Sequence, residues 1–253
     1  MGLNEQMGAV DRLMRRPQDL HELLAGGGDV SEVLAKVDVE RAKAVHAVFA
    51  ELIVARWWQP RFPATLAALR HFLGEEYASW LVGQESLLLA EGEDLRGSAL
   101  GGAVLSLAGA PQDLPPGATP LPEWLSELCA YEYLLAVGLP RRAEGEALDC
   151  ALEAGLLPDA VWLSGGRLTH EVLVAPFNWP VGELQEEPHE AEPDAHVRLL
   201  WVEDQSAAEV EGPHLAGDVL DLLSKGLDDE AIRAIDPDAD QALSWFRELG
   251  LLA

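Results

Sequence analysis

The sequence predicts an α+β protein of two domains. A helical domain covers residues 1–157. Residues 158–253 form a small antiparallel sheet followed by three helices. Three observations carry this. Apolar residues recur at helical spacing through the first half. After Pro158 the period switches to two. Over the last fifty residues helical spacing returns, with Asp at the starts and Gly at the ends. At 253 residues and 49% hydrophobic content, the chain can bury cores of this size.

Residues 39–58 place Val45, Phe49, Leu52, Ile53 and Trp57 on one stripe. Pro60 ends that helix, and Pro63 starts the next, where a missing N–H costs nothing. Leu66, Leu69, Phe72 and Leu73 are its buried stripe, and Gly74 is its C-cap. Residues 75–90 form a third helix with Tyr77, Trp80, Leu81 and Leu88 apolar. Residues 92–120 hold six Gly, four Pro and five Ala, a long connection with room for one short helix. A helix restarts at Pro122 with the stripe Trp124, Leu125, Leu128, Tyr131 and Leu135, and ends near Gly138-Leu139-Pro140. Glu132 borders that stripe as a half-exposed carboxylate. A further helix runs over about 141–155.

DAVWLSGGRLTHEVLV reads as strand, Gly-Gly turn, strand. Asn178 to Leu184 is a weaker strand. QEEPHEAEPDA is a charged loop. HVRLLWVED is a further strand with Val197, Leu199 and Trp201 on one face. In the tail, Leu215, Val219, Leu222 and Leu223 make one helix closed by Gly226. Asp228 or Asp229 caps a short helix through Ile235. Asp238 caps a third, which carries Ala242, Trp245, Phe246 and Leu249 and closes at Gly250.

The charge is unusual: 44 Asp+Glu against 17 Lys+Arg, a net −27. It is also uneven. Residues 1–70 carry nine basic and nine acidic residues, so the excess lies wholly in the remainder. A chain this acidic is repelled by phosphate backbones, which argues against nucleic acid. Cys129 and Cys150 form no Cys-x-x-Cys motif, and MGLNEQMGAV has no basic start with an apolar run. A reducing cytoplasm is therefore expected. The longest uncharged stretch, Gly97 to Gln112, is too short to span a bilayer of roughly 30 Å, so no membrane partner is expected.

Catalytic motifs are scarce. There is no Gly-x-Ser-x-Gly elbow and no P-loop. Gly26-Gly27-Gly28 follows no strand, so it is no dinucleotide fingerprint. His189-Glu190 has Pro193 where a zinc motif needs its second His. His189, Glu190, Glu192, Asp194 and His196 form the densest metal-like cluster, but in a Pro-containing loop without rigid geometry. No catalytic residue, metal site or resident cofactor is assigned.

Two stretches resemble known families. VERAKAVHAVFAELIVARWWQPRFPATLAALRHFLGEEYASWLVG, with LPEWLSELCAYEYLLAV beyond the connection, resembles the helical domain of a bacterial family of partner proteins. Its members serve multinuclear non-haem iron oxidative enzymes and include the C subunit of methanobactin biosynthesis; the family once carried a DNA-binding label. The resemblance covers roughly residues 35–140. The tail LAGDVLDLLSKGLDDEAIRAIDPDADQALSWFRELGLLA is similar to the helical end of PqqD-like modules. Those are winged-helix-like and bind the leader of a ribosomally made peptide. Winged-helix DNA-binding proteins end the same way.

Charge separates these two options. Residues 196–253 hold four basic residues against thirteen acidic ones, and the stretch Asp238–Gly250 has one Arg and three acids. A DNA-reading helix needs cations for the phosphates. The expectation is therefore a non-catalytic accessory subunit. It would capture a precursor peptide with a basic leader and present it to an iron enzyme; the iron belongs to that partner. The peptide would add as a strand beside Val197–Val202 or Leu168–Val174, against the last helix. The expected peptide-binding residues are Arg198, Leu200, Gln241, Ser244 and Trp245. Those expected to dock the enzyme are Trp57, Trp58, Arg61 and Glu132; the competing role for the tryptophans is core packing. The alternatives are a winged-helix transcriptional regulator and a stand-alone metal-dependent enzyme using Glu132 or the His189–His196 cluster.

Overall fold

The structure is a computed structural model. It describes residues 54–75, 121–145, 159–186, 191–203, 206–213 and 215–252, with single positions 44, 48, 51, 52, 78, 79, 82 and 157. Most of the expected helix 39–58 lies outside these residues. So do Tyr77, Trp80, Leu81, Leu88, the connection 92–120, residues 146–156, His189 and Glu190. The chain divides into two compact units, Met1–Cys129 and Ala130–Ala253. The fold is mixed helix and antiparallel sheet, as the alternation of periods predicts.

In the first unit, a five-residue π-turn, Val54–Trp58, leads into the short helix α1, Gln59–Arg61. Helix α2 spans Pro63–Leu73. Pro60 therefore does not end the helix; the break comes at Phe62, whose φ is −129°. The physical reason is the π-turn. Proline lacks an N–H and its ring collides with the carbonyl four residues earlier. That carbonyl belongs to Arg56, at the centre of the widened turn. Gly74 closes α2 with φ 82°, its N–H donating to the Arg70 carbonyl. Trp58, Phe62, Leu66 and Leu69 are fully buried. Trp58 packs on Phe62 with ring centroids 4.9 Å apart, and Phe72 meets Trp124 edge-on at 6.0 Å.

Helix α3, Leu125–Tyr133, runs through a second π-turn, Leu134–Gly138, into α4, Leu139–Ala143. The expected end at Gly138-Leu139-Pro140 is thus a continuation. Pro140 repeats the arrangement of Pro60: its forbidden carbonyl, on Ala136, is central in the π-turn. Glu144 and Gly145 form a turn, Gly145 at φ 85°. The change of period falls near 157, yet the second unit begins at Ala130. Ala130, Tyr131, Leu134 and Leu139 bury themselves against the sheet, and a helix belongs with the core that its apolar stripe fills.

The sheet has four antiparallel strands in the order β1-β2-β3-β4. They are β1 Val161–Leu163, β2 Val172–Phe177, β3 His196–Glu203 and β4 Ser206–Gly212. The expected strand at Asn178–Leu184 is instead helix α5, Val181–Glu186. Pro180 precedes its first residue, and the Pro180 carbonyl accepts from the Leu184 N–H; Pro favours a helix start. β4 has no counterpart in the sequence expectation. The tail is α6 Ala216–Ser224, α7 Asp229–Ile235 and α8 Ala239–Glu248. Gly226 and Gly250 close α6 and α8 at φ 83° and 71°. Leu227 N–H donates to the Leu222 carbonyl, and Leu251 N–H to that of Phe246, the six-residue closure that a left-handed glycine permits.

The sheet separates two cores. Leu163, Val172, Leu199 and Trp201 pack with Val219, Leu220, Leu223, Ile232, Leu243 and Phe246 of the tail. Leu173, Ala175, Phe177 and Leu200 pack with Tyr131, Leu134, Leu139 and Val181 on the other face. Alternate residues of a strand face opposite ways, which is why β3 divides between them.

Candidate functional site

The β3–β4 ladder runs from Val197 opposite Gly212 to Glu203 opposite Ser206. β3 pairs with β2 on its other side. Of the two strands first expected to receive a peptide, Val197–Val202 is therefore paired on both sides, and Leu168–Val174 is strand only from Val172, where β1 and β3 flank it. Among the described residues β1 pairs only with β2 and β4 only with β3, so these two strands present the outer edges, β4 the longer with seven residues against three. The side chains of β4 show it: Ala207, Ala208, Glu209 and Val210 are partly exposed, whereas Leu199 and Leu200 on β3 are fully buried.

One face of β4 meets the tail. Ala208 and Val210 pack against the tail core beside the half-buried Trp245 of α8. Gly212 makes room at the end of the strand. A Cβ there would lie 3.0 Å from Cβ of Ala216 and 3.5 Å from Cη2 of Trp245. Trp245 itself contacts the Phe246 ring at 5.4 Å. Gln241 and Ser244 are exposed on α8, on the helical strip that Trp245 shares by its spacing.

The other face of β4 carries Ala207, Glu209 and Glu211, opposite Val202, Leu200 and Arg198. The Arg198 side chain is 14% exposed. Its guanidinium lies 3.2 Å from Glu211 and 3.9 Å from Glu209, with its carbon 5.6 Å from the Tyr131 ring centre. Tyr131 donates its hydroxyl to Glu209 at 2.5 Å. Burial, and then that hydrogen bond to an anion, push the Tyr131 phenol well above its usual range. Gly182 of α5 closes over the guanidinium, with no room for a side chain.

The expected residues thus separate. Trp245, Gln241 and Ser244 stay together on α8, and Trp245 lies beside β4. Arg198 and Leu200 do not join them: they point to the opposite face of the sheet, one beside Tyr131 and the other fully buried. The correction follows from period two, because Val197, Leu199 and Trp201 take the tail face and leave Arg198 and Leu200 to the other. The residues missed are those of β4, above all Val210 and Glu211. Their signal was the alternation Ala208-Glu209-Val210-Glu211.

The docking residues separate too. Trp58 is fully buried and belongs to the core, because π-turn and helix geometry carry it to the inner side with Phe62. Trp57 is half-buried, with the guanidinium carbons of Arg56 and Arg61 at 5.5 and 4.9 Å from its ring, two cation–π contacts. Glu132 is 1% exposed, not half-exposed; residues 128–134 are all buried, leaving no outer side.

Of the metal-like cluster, Glu192, Asp194 and His196 are described. Nδ1 of His196 lies 2.9 Å from the Asp194 carbonyl, and its ring stacks on Phe177. Among the described residues no three His, Cys, Asp or Glu side chains are placed to hold a metal ion. Nor is any described helix long and apolar enough to cross a membrane.

Elsewhere in the second unit, Asp229 gathers three arginines. Arg167 lies at 2.5 Å, Arg233 at 3.8 Å, and Arg247 is in direct contact. Arg142 makes a two-point bond to Glu171, and Lys225 pairs with Asp221. Compared with known family models, curated proteins and solved structures, the chain matches none.

Proposed function

We propose that the protein is a non-catalytic accessory subunit that captures a ribosomally made precursor peptide and presents it to an iron enzyme for oxidative modification. The observation that carries the reading is the outer edge of β4 lying beside Trp245 of α8. An exposed edge offers a row of backbone donors and acceptors, and an extended peptide satisfies them by becoming a fifth strand. Capture in this way does not depend on a pocket. It raises the effective concentration of the peptide at the partner's metal centre, which is how a subunit without chemistry of its own accelerates a reaction.

The electrostatics favour peptide over nucleic acid. Arg142, Arg167, Arg198, Lys225, Arg233 and Arg247 all stand against carboxylates of the same unit. A cation already paired in this way must exchange a partner to meet phosphate. In the first unit, Trp57 between Arg56 and Arg61 is the surface we assign to the enzyme. An aromatic ring flanked by arginines combines the residue types that dominate binding hot spots.

Co-expression with a neighbouring iron enzyme and its candidate precursor tests the reading. The expected result is co-purification of all three and modification that depends on this chain. Failure of both to co-purify, with modification proceeding in its absence, overturns it.

A further inference from the structure

We infer that the β4 edge selects peptides by alternation: an extended segment in which Lys or Arg alternates with Val, Ile or aromatic residues. The inference rests on the peptide-capture reading above and specifies its ligand.

The two faces of β4 differ in chemistry. Ala208, Val210 and Gly212 share the side of Trp245, and that side is apolar. Glu209 and Glu211 share the other. A strand laid along β4 would place successive side chains on successive faces, directly opposite these residues. Its apolar residues would cover Val210 and the exposed part of Trp245. Its other residues would meet the carboxylates.

The charge on that second face is not balanced. Arg198 is the one described cation within ion-pair distance of Glu209 and Glu211, so two carboxylates share one guanidinium. The Tyr131 hydroxyl binds Glu209 without changing the count. The Glu211 side chain is 59% exposed and free to turn toward an incoming cation. One Lys or Arg on the peptide restores neutrality there.

The same imbalance argues against a second copy of this chain as the occupant. Two β4 edges pairing antiparallel would bring Glu209 and Glu211 of one copy against those of the other. Like charges opposite each other in a sheet destabilise it, and charged edges are a common defence against self-association.

Calorimetry with synthetic peptides of about ten residues tests this, a length that spans a strand of ordinary size. One peptide alternates Lys and Val. A second has the same composition in Lys-Lys-Val-Val order. A third alternates Glu and Val, and two more are the first with every second amide N-methylated, one for each phase of the alternation. The alternating Lys/Val peptide is expected to bind about tenfold tighter than its isomer. N-methylation is expected to remove binding on one of its two phases. Glu211→Lys is expected to invert the preference between the Lys and Glu peptides, with circular dichroism checking the fold.

Equal binding of the two Lys/Val isomers, no binding of either, or a Glu211→Lys protein with unchanged preference overturns the inference. The natural precursor separates this from failure of the capture reading. A precursor that binds wild type and Glu211→Lys equally leaves capture standing and removes the alternation rule. An alternating probe that binds, with a precursor that does not, leaves the rule and removes the capture reading.

Discussion

Gly182 and Arg198 compete for one space. A side-chain carbon on Gly182 would overlap Nη2 of Arg198 and come within 2.9 Å of its Cζ. The guanidinium is the end of a flexible chain, but here it is held between Glu211, Glu209 and the Tyr131 ring. The helix α5 can lie over the sheet at this point because position 182 has no side chain. The Arg198 network is therefore a product of one absent methyl group.

Gly182→Ala is expected to cost about 1–2 kcal/mol, as displacement of a packed side chain does. In an Arg198→Ala background the same change should be close to neutral. A urea-denaturation double-mutant cycle checks this: additive costs would mean that Gly182 and Arg198 do not meet.

Gly166 presents the harder case. It sits at φ 57°, and a Cβ would run into backbone: the Leu223 carbonyl, the Ser224 carbonyl at 2.5 Å and the Gly226 nitrogen at 2.8 Å. Backbone cannot swing aside as an arginine tip can. Gly166→Ala is expected to lose about 3 kcal/mol or more, combining overpacking with an unfavourable φ. Its neighbour Gly165 has φ 79° but open space around it. Gly165→Ala should lose about 1 kcal/mol. Thermal melts of the two variants should differ clearly, and equal melts would refute the close approach.

Asp229 gives the second unit a sensitivity to acid. Hydrogen bonds from Arg167 above all, and from Arg247, hold its carboxyl below the usual carboxylate range. A depressed folded pKa contributes stability above the unfolded value of about 3.9, lost as pH falls through the folded value. The three arginines are 28–44% exposed, so solvent screening holds the contribution to about 1 kcal/mol. Asp229→Asn should be less stable than wild type at pH 7, and the gap should close below about pH 4. A gap that persists at pH 2 would trace the loss to packing.

Much of the second unit was legible because its signals are local. The Asp228 side chain does accept from the Ala231 N–H at 2.8 Å, and Gly226 and Gly250 do close their helices. Asp238 stands at the start of α8 without a side-chain cap; its own N–H donates to Asp236. The sequence predicts strand, Gly-Gly turn, strand around Gly165-Gly166. In fact a longer loop reaches the tail, where Arg167 N–H donates to the Leu223 carbonyl and Thr169 N–H to Leu251. Such contacts depend on residues far away in sequence.

β4 escaped notice for a different reason. Ser-Ala-Ala-Glu-Val-Glu-Gly is poor in the branched and aromatic residues that mark strands. It becomes a strand because β3 supplies a template and Ala208 and Val210 pack, partly buried, against the tail core. The candidate site follows the same course. Trp245 belongs to a tail whose helical spacing is local, whereas the strand beside it depends on sheet order, which no local pattern states.

Tyr131 should limit stability in alkali. Burial and the hydrogen bond to Glu209 raise its folded pKa above the unfolded value of about 10. A raised folded pKa contributes stability that is complete below the unfolded value and lost as pH rises through the folded one. The phenolate would form beside Glu209, and Arg198 offsets only part of that repulsion. Tyr131→Phe keeps the ring against Phe177, 5.8 Å away, and removes the ionisable hydroxyl. At pH 7 it should cost about 1.5–3 kcal/mol, the net worth of one hydrogen bond to a charged acceptor. Between pH 10 and 12 the wild type should lose stability faster than Tyr131→Phe, so the difference narrows with rising pH. Parallel denaturation curves across that range would show that the Tyr131 proton is not held by the fold.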